Sequence, residues 1–207
     1  MTLPGAALPP PVHVARQPIR RPSGDLLGHE YLYRSAAGRA AGVDRWSTAR
    51  QDAASASVLR TLYDPRRPRA AGLVFVNVTR AFLVGDRTLP PPDGRLVLEV
   101  VESVRADAAA LAGLARLRAR GYRVALDDWT ASSAQRAMLP HADFVKIDCR
   151  DLDRLGEAGL QEARTSGARL VAERVADDEL RERCLDLRFD LLQGYVLGRP
   201  ALLAAVA

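Results

Sequence analysis

Short apolar runs alternate along this chain with longer amphipathic stretches. Eight runs have β character: "VHVARQPI", "LLGHEYLY", "LVFVNV", "RLVLEVVE", "RVALDD", "DFVKID", "RLVAERV" and "DLLQGYV". Each is rich in Val, Leu, Ile or aromatic residues and too short for a helix of ordinary length. Between most of them the apolar positions recur at helical spacing, which predicts helices over 46–63, 105–120, 151–164 and 177–187. The join "LARLRARGYRVALDD" shows the logic. Leu114 and Leu117 among arginines make an amphipathic helix, Gly121 suits its C-terminal stop, and a strand follows at once. Repeated strand–helix alternation predicts parallel βα units. Eight strands with about six helices predict an α/β fold in one domain, a (β/α)8 (TIM-like) barrel shorter than the usual length of about 250 residues. An open doubly wound sheet is the structural alternative, and it loses ground because no Gly-rich turn follows the first strand. The Pro-rich residues 1–11 read as a flexible leader, with the barrel domain over 12–207.

Composition narrows the function. With 207 residues, 48% hydrophobic and 27% charged, the chain is long enough for a full core and lies in the ordinary globular range. Its net charge of +5 allows an anionic partner, but the arginines are scattered and cluster only at "IRRPSG" and "DPRRPRA". Aromatic residues at 5% offer little stacking surface, so a nucleic-acid polymer is not expected. Cys149 and Cys184 form no framework and no metal spacing, which points to a reducing compartment and a cytoplasmic location. The N-terminus has no charged n-region and no run approaches 18 apolar residues, so neither a signal peptide nor a membrane span is expected.

The chemistry-bearing residues gather at strand ends, where barrel enzymes hold their sites. Glu30 and Arg34 lie in "GHEYLYR", Asn77 ends "LVFVN", and Glu99 and Glu102 end "RLVLEVVE". Asp127 and Asp128 end "RVALDD", Lys146 and Asp148 share a face of "DFVKID", Glu173 ends "RLVAE" and Gln193 ends "DLLQ". If these carboxylates converge they must be neutralised, because close like charges do not all stay ionised. Hard divalent cations do this with oxygen ligands, to which Asn77 adds a neutral one. Two such ions about 3.5–4 Å apart would suit in-line phosphodiester hydrolysis. Lys146 is the only lysine among 30 Lys plus Arg, and Asn77 the only asparagine. A guanidinium does not replace a compact ammonium in a tight site, although a coding bias toward arginine would also leave such singletons. A buried lysine could instead form a Schiff base with a carbonyl substrate, but that chemistry needs no ring of acids. His13, His29 and His141 show no ligand spacing and read as structural or surface residues.

These blocks resemble a known family. "ARQPI…GHEYLYR" is similar to the opening of EAL domains, with Glu30-Tyr31-Leu32 at the motif that names them. "FVNVT", "LEVVES", "ALDDW", "ADFVKID", "LVAERV" and "LLQGYVLGRP" resemble the family's later motifs in order, over about residues 12 to 200. The opening and the loop after "DDW" are most similar to the branch in which an EAL domain is fused to a HDOD domain. With that domain absent, a separate signalling protein is expected in its place. The resemblance implies a modified (β/α)8 barrel that hydrolyses the bacterial second messenger cyclic di-GMP to linear pGpG with Mg²⁺ or Mn²⁺. It implies that Glu30, Asn77, Glu99 and Asp127 hold a first metal, and that Asp127 bridges to a second near Asp128 and Glu173. Lys146 would orient the attacking water or help deprotonate it, with Glu30 and Glu173 completing the catalytic set. Gln17 and Arg34 fall where the family contacts its substrate, Asp128 and Gln193 line the same pocket, and Glu102 would anchor the loop that follows Asp128. In the family that loop reads "DFGTG" and serves both the metal site and dimer assembly, so the resemblance allows a homodimer. Here it reads Asp128-Trp129-Thr130-Ala131-Ser132, and the family's "AEGVE" reads Ala172-Glu173-Arg174-Val175-Ala176. These departures leave an alternative open: a catalytically inactive receptor for cyclic di-GMP, or an interaction scaffold.

Overall fold

Eight strands form the wall of the molecule: β1 (His13–Arg20), β2 (Leu26–Arg34), β3 (Leu73–Val78), β4 (Leu96–Val100), β5 (Arg123–Leu126), β6 (Phe144–Asp148), β7 (Arg169–Glu173) and β8 (Leu191–Leu192). The structure is a computed structural model that describes residues 13–35, 37–40 and 42–204. The leader expected at 1–11 lies outside the described residues. From β2 to β8 each strand pairs in parallel with the next. β1 lies between β8 and β2, antiparallel to both, and closes the sheet into a barrel. The open doubly wound sheet is thereby excluded.

The predicted helices appear as α1 (Thr48–Leu62), α3 (Ala108–Ala119), α5 (Leu152–Arg164) and α6 (Asp178–Asp186), joined by two shorter ones, α2 (Arg80–Val84) and α4 (Ser133–Met138). Gly121 takes φ 93, and the amides of Gly121 and Tyr122 donate back to the carbonyls of Arg118 and Leu117. This is the stop expected of a glycine just past a helix, since its missing Cβ makes the left-handed conformation cheap. No helix among the described residues is long and apolar enough to cross a membrane.

The parallel alternation does not extend to the first unit. β1 and β2 form a hairpin across residues 21–25, with Gly24 at φ 89. A link this short cannot carry a parallel crossover, which takes a dozen or more residues. A further short strand, β9 (Ala201–Leu202), adds to the outer side of β1 through Ala15 and Arg16.

Alternation along the strands then places the site. Leu73, Phe75, Val97, Phe144 and Val171 join Ile19, Leu27, Ala125 and Leu191 in a buried cluster distinct from the larger one formed with the helices. Phe75 and Phe144 meet edge-on at 5.0 Å in this plug. Two residues further along the same faces stand Asn77, Glu99, Lys146 and Glu173. The apolar plug is thus a floor, and the polar ring lies above it at the C-terminal ends of the strands.

Candidate active site

The ring converges on one nitrogen. Lys146 Nζ lies 2.5 Å from Glu99 Oε1, 2.8 Å from Glu173 Oε1, 3.3 Å from Asp127 Oδ1 and 3.5 Å from Glu30 Oε2. Lys146 and Glu99 are fully enclosed, with side chains 1% and 0% exposed. β3 and β4 set Asn77 opposite Glu99 in register, and Asn77 Nδ2 donates to Glu30 Oε1 at 3.4 Å. Gln193 Nε2 donates to Glu30 Oε2 at 2.6 Å and to Gln17 Oε1 at 3.3 Å, while Gln17 Nε2 donates to the Gly198 carbonyl at 3.2 Å. Glu30, Asn77, Glu99, Asp127, Lys146, Glu173, Gln17 and Gln193, all singled out from sequence, therefore form one connected assembly.

One ammonium does not neutralise four carboxylates, two of them buried and two partly so, and the titration behaviour follows from that imbalance. Burial and the neighbouring Glu30 push the Glu99 carboxyl well above the usual carboxylate range. Burial likewise pushes Glu173 up to about 8, with Asp127 and Glu30 adding to the effect against the pull of Lys146. Burial also opposes the Lys146 ammonium, but Asp127, Glu173, Glu30 and Glu99 outweigh it and hold its pKa well above the ordinary lysine value. The cluster consequently retains protons, as acidic groups at close quarters must.

Oxygen donors remain for a cation. Asn77 Oδ1 and Glu99 Oε2 are buried and have no hydrogen-bond partner, which is uncommon unless something else satisfies them. They belong to two of the four residues assigned to a first metal, and their hard oxygen chemistry fits Mg²⁺, Mn²⁺ or Ca²⁺. Glu102, Asp127 and Asp128 form an adjoining group whose carboxylate oxygens lie within 4.8 Å of one another. Asp128 is pushed up to about 6 by burial and by Asp127 and Glu102. A cavity of about 390 Å³ opens over this rim and is lined by Arg34, Asn77, Glu102, Asp127, Asp128 and Arg174. Gln17 is absent from the cavity wall and props Gln193 from within the ring. Asp148 stands apart, clamped by Arg150 at 2.5 Å and Arg174 at 2.7 Å.

Sequence reasoning missed Gln135. It is 2% exposed, and its Oε1 accepts from the amides of Thr130 and Ser132 at 2.9 and 3.3 Å and from both their hydroxyls. Its Nε2 donates to the carbonyls of Asp127 and Asp128 at 3.0 and 2.9 Å. Gln135 therefore ties together the loop that lacks the family's glycines, while Trp129 buries its ring in the outer core and donates its amide to the Lys146 carbonyl. Ser132 and Gln135 also form a capping box at the start of α4. The Ser-x-x-Gln spacing signals that cap in the sequence; the bonds to Asp127 and Asp128 have no sequence signature. Asp128, Ala131 and Arg174 hold φ of 42, 58 and 57, left-handed values that cost any residue with a Cβ. Arg174 occupies the glycine position of the "AEGVE" pattern, so the backbone shape persists without the residue that adopts it freely.

A closed barrel with a carboxylate ring around a buried lysine, oxygen donors left over and a cavity above it is an arrangement with the ligand chemistry to hold a hard divalent cation. The chain belongs to the EAL domain family, whose sequence model matches residues 83–200. The cyclic di-GMP phosphodiesterase CdgJ of Vibrio cholerae is 29% identical over 195 residues, which cover 92% of this chain and 45% of CdgJ. The chain thus spans just under half the length of that relative. The PaMucR phosphodiesterase, solved as a c-di-GMP complex, aligns with a TM-score of 0.74 at 26% identity over 91% of this chain and 96% of its own. Bacillus subtilis YkuI, with an EAL domain and solved with c-di-GMP and calcium, aligns at TM-score 0.75 and 21% identity over 93% of this chain and 55% of YkuI, a likeness of fold.

Proposed function

We propose that this protein hydrolyses cyclic di-GMP to linear pGpG at a divalent-metal site built from Glu30, Asn77, Glu99 and Asp127, with Asp128 and Glu173 beside them. The observation that carries the reading is the pair of buried, unpartnered oxygens, Asn77 Oδ1 and Glu99 Oε2, inside a ring of acids. Mg²⁺ or Mn²⁺ bound there would supply Lewis-acid neutralisation of the phosphodiester and activation of a water. The chain's own groups do the rest. Lys146, an ammonium in this environment, donates a hydrogen bond and orients the attacking water. Glu173, 2.8 Å from Lys146, is the carboxylate we assign to accept that water's proton, once its own carboxyl has lost the proton that burial favours. Arg34 at the cavity wall supplies positive charge for the phosphate, and burial of its guanidinium strengthens that interaction. The related proteins named as cyclic di-GMP phosphodiesterases, and the c-di-GMP in the PaMucR complex, support the choice of substrate.

A second reading rests on the loop. Held by Gln135 and interrupted by Arg174 at the cavity wall, the rim suits a receptor that binds cyclic di-GMP without cutting it. One experiment separates the two. The purified protein is incubated with cyclic di-GMP and Mg²⁺ or Mn²⁺, and bound nucleotide and linear product are both followed. Turnover supports the phosphodiesterase. Binding without product supports the receptor, and neither would leave an interaction scaffold, with a separate signalling protein or a second copy as its partner.

A further inference from the structure

A second cavity, of about 310 Å³, lies on the opposite rim, where the chain leaving α1 meets the N-terminal ends of β3 and β4. It shares no lining residue with the cavity over the carboxylate ring. Its polar lining is Tyr63, Asp64, Arg67, Arg69, Asp93 and Arg95. The acids here are already committed. Asp93 receives Arg69 and Arg95, each at 3.2 Å, together with the backbone amides of Arg95 and Leu96. Asp64 is held by Arg66 at 2.7 Å. The lining thus sets the three guanidiniums of Arg67, Arg69 and Arg95 against two carboxylates, one of which, Asp64, is already taken by Arg66 outside the cavity, and positive charge is left in surplus.

Two donors in this cavity have nothing to donate to. The Tyr63 hydroxyl and Arg67 Nε are both buried and without a hydrogen-bond partner. Burial, with Asp93 nearby, pushes the Tyr63 phenol up to about 12, so it keeps its proton. A neutral water would satisfy one donor or both, but it would not answer the surplus charge. An anion with several oxygens answers both, and arginine matches phosphate geometry in particular. We propose that this cavity binds a small phosphate-bearing molecule, with Arg67 and Tyr63 donating to its phosphoryl oxygens and the exposed Arg69 closing on it from the mouth.

The test uses the whole chain with a chelator present, so that no divalent cation in the carboxylate ring collects phosphate. Thermal melting is followed against inorganic phosphate and, separately, a nucleoside monophosphate, each balanced with chloride at constant ionic strength. The wild type is expected to gain stability with one or both ligands, beyond chloride. Arg67→Gln is expected to weaken the half-saturating concentration at least about tenfold, the loss of one charge-assisted hydrogen bond. Tyr63→Phe removes a single oxygen and serves if the arginine variant fails to fold. It is expected to melt at or above wild type without phosphate, because an unpaired buried hydroxyl is gone, and yet to bind phosphate about threefold or more weakly. A wild type that ignores both ligands up to about 10 mM, or a Tyr63→Phe variant that binds like wild type, would overturn the proposal.

Discussion

With Glu99 at 2.5 Å and Glu173 at 2.8 Å, the Lys146 ammonium occupies a space in which a guanidinium's larger planar head must displace carboxylates. Lys146→Arg keeps the charge and changes the shape. We expect the variant to fold, to bind cyclic di-GMP within roughly tenfold, and to lose at least about a hundredfold in turnover, the low end of what a positioned acid–base group contributes. Melting temperature, affinity and turnover measured on one preparation check this; turnover near wild type would remove Lys146 from the mechanism. The lysine was legible because it was the only one in the chain, sitting two residues beyond Phe144 on a strand face. The strain at Arg174 was only half legible: the sequence showed an arginine at a glycine position, but φ 57 had to come from the structure. Arg174→Ala and Arg174→Gly both lose the ion pair with the buried Asp148, so their difference isolates the backbone. Chemical denaturation should find the glycine variant more stable than the alanine variant by about 1 kcal/mol. Equal stabilities would mean that the left-handed turn is not held in solution.

At the scale of elements, the loop from Asp127 to α4 depends on one amide side chain. Gln135→Glu preserves the acceptor but replaces the donor to the Asp127 and Asp128 carbonyls with an oxygen that repels them. We expect a loss of about 2 kcal/mol or more, together with a smaller stabilisation by Mn²⁺, since both carboxylates lose their fixed backbone. Ser132→Ala removes the helix cap and one hydroxyl bond to Gln135 Oε1 but keeps both bonds from Gln135 Nε2 to the Asp127 and Asp128 carbonyls, so it should cost about 1 kcal/mol while leaving the Mn²⁺ response intact. Denaturation of both variants with and without Mn²⁺ is the measurement, and a wild-type Mn²⁺ response in Gln135→Glu would reduce Gln135 to a purely structural residue. The long elements were readable because each carried a sustained period, as in α3 with its Gly121 stop. The β1–β2 hairpin was readable in principle from the short "RPSGD" link, yet the repeated strand–helix pattern elsewhere masked it. β9 had no such signal, because a two-residue strand is defined by its partner and not by its own sequence.

At the scale of the whole molecule, barrel closure turns seven separate strand ends into one electrostatic object. The two-residue period put Lys146 and Asp148 on one face, yet Asp148 stands outside the ring, and the balance among the acids depends on three-dimensional distance. That balance makes a prediction with a definite sign. Glu173 is raised to about 8 and Asp128 to about 6, both above their unfolded values. Through these two groups the folded metal-free protein binds more protons than the unfolded chain, Asp128 between about 4 and 6 and Glu173 from about 4 up to about 8. Their contribution to stability therefore falls as pH rises from about 4 and, between about 6 and 8, falls through Glu173. Lys146 is shifted upward from an already higher value, so its own titration lies above the window. A divalent cation at the ring takes the place of those protons, so its binding should release them and tighten with rising pH until about 8. Melting curves at pH 6, 7 and 8 with chelator should step downward, and millimolar Mn²⁺ should remove or reverse the trend. Calorimetric titration of Mn²⁺ in two buffers of different ionisation enthalpy should report about one proton or more released per site at pH 7. Glu99→Gln, which removes an ionisable carboxyl and one of the unpartnered oxygens at the centre of the ring, should flatten the metal response most. Metal-free melting that stays level or rises over this range would show that the acids are not packed as closely in solution as the barrel places them, and the cation site would fall with them.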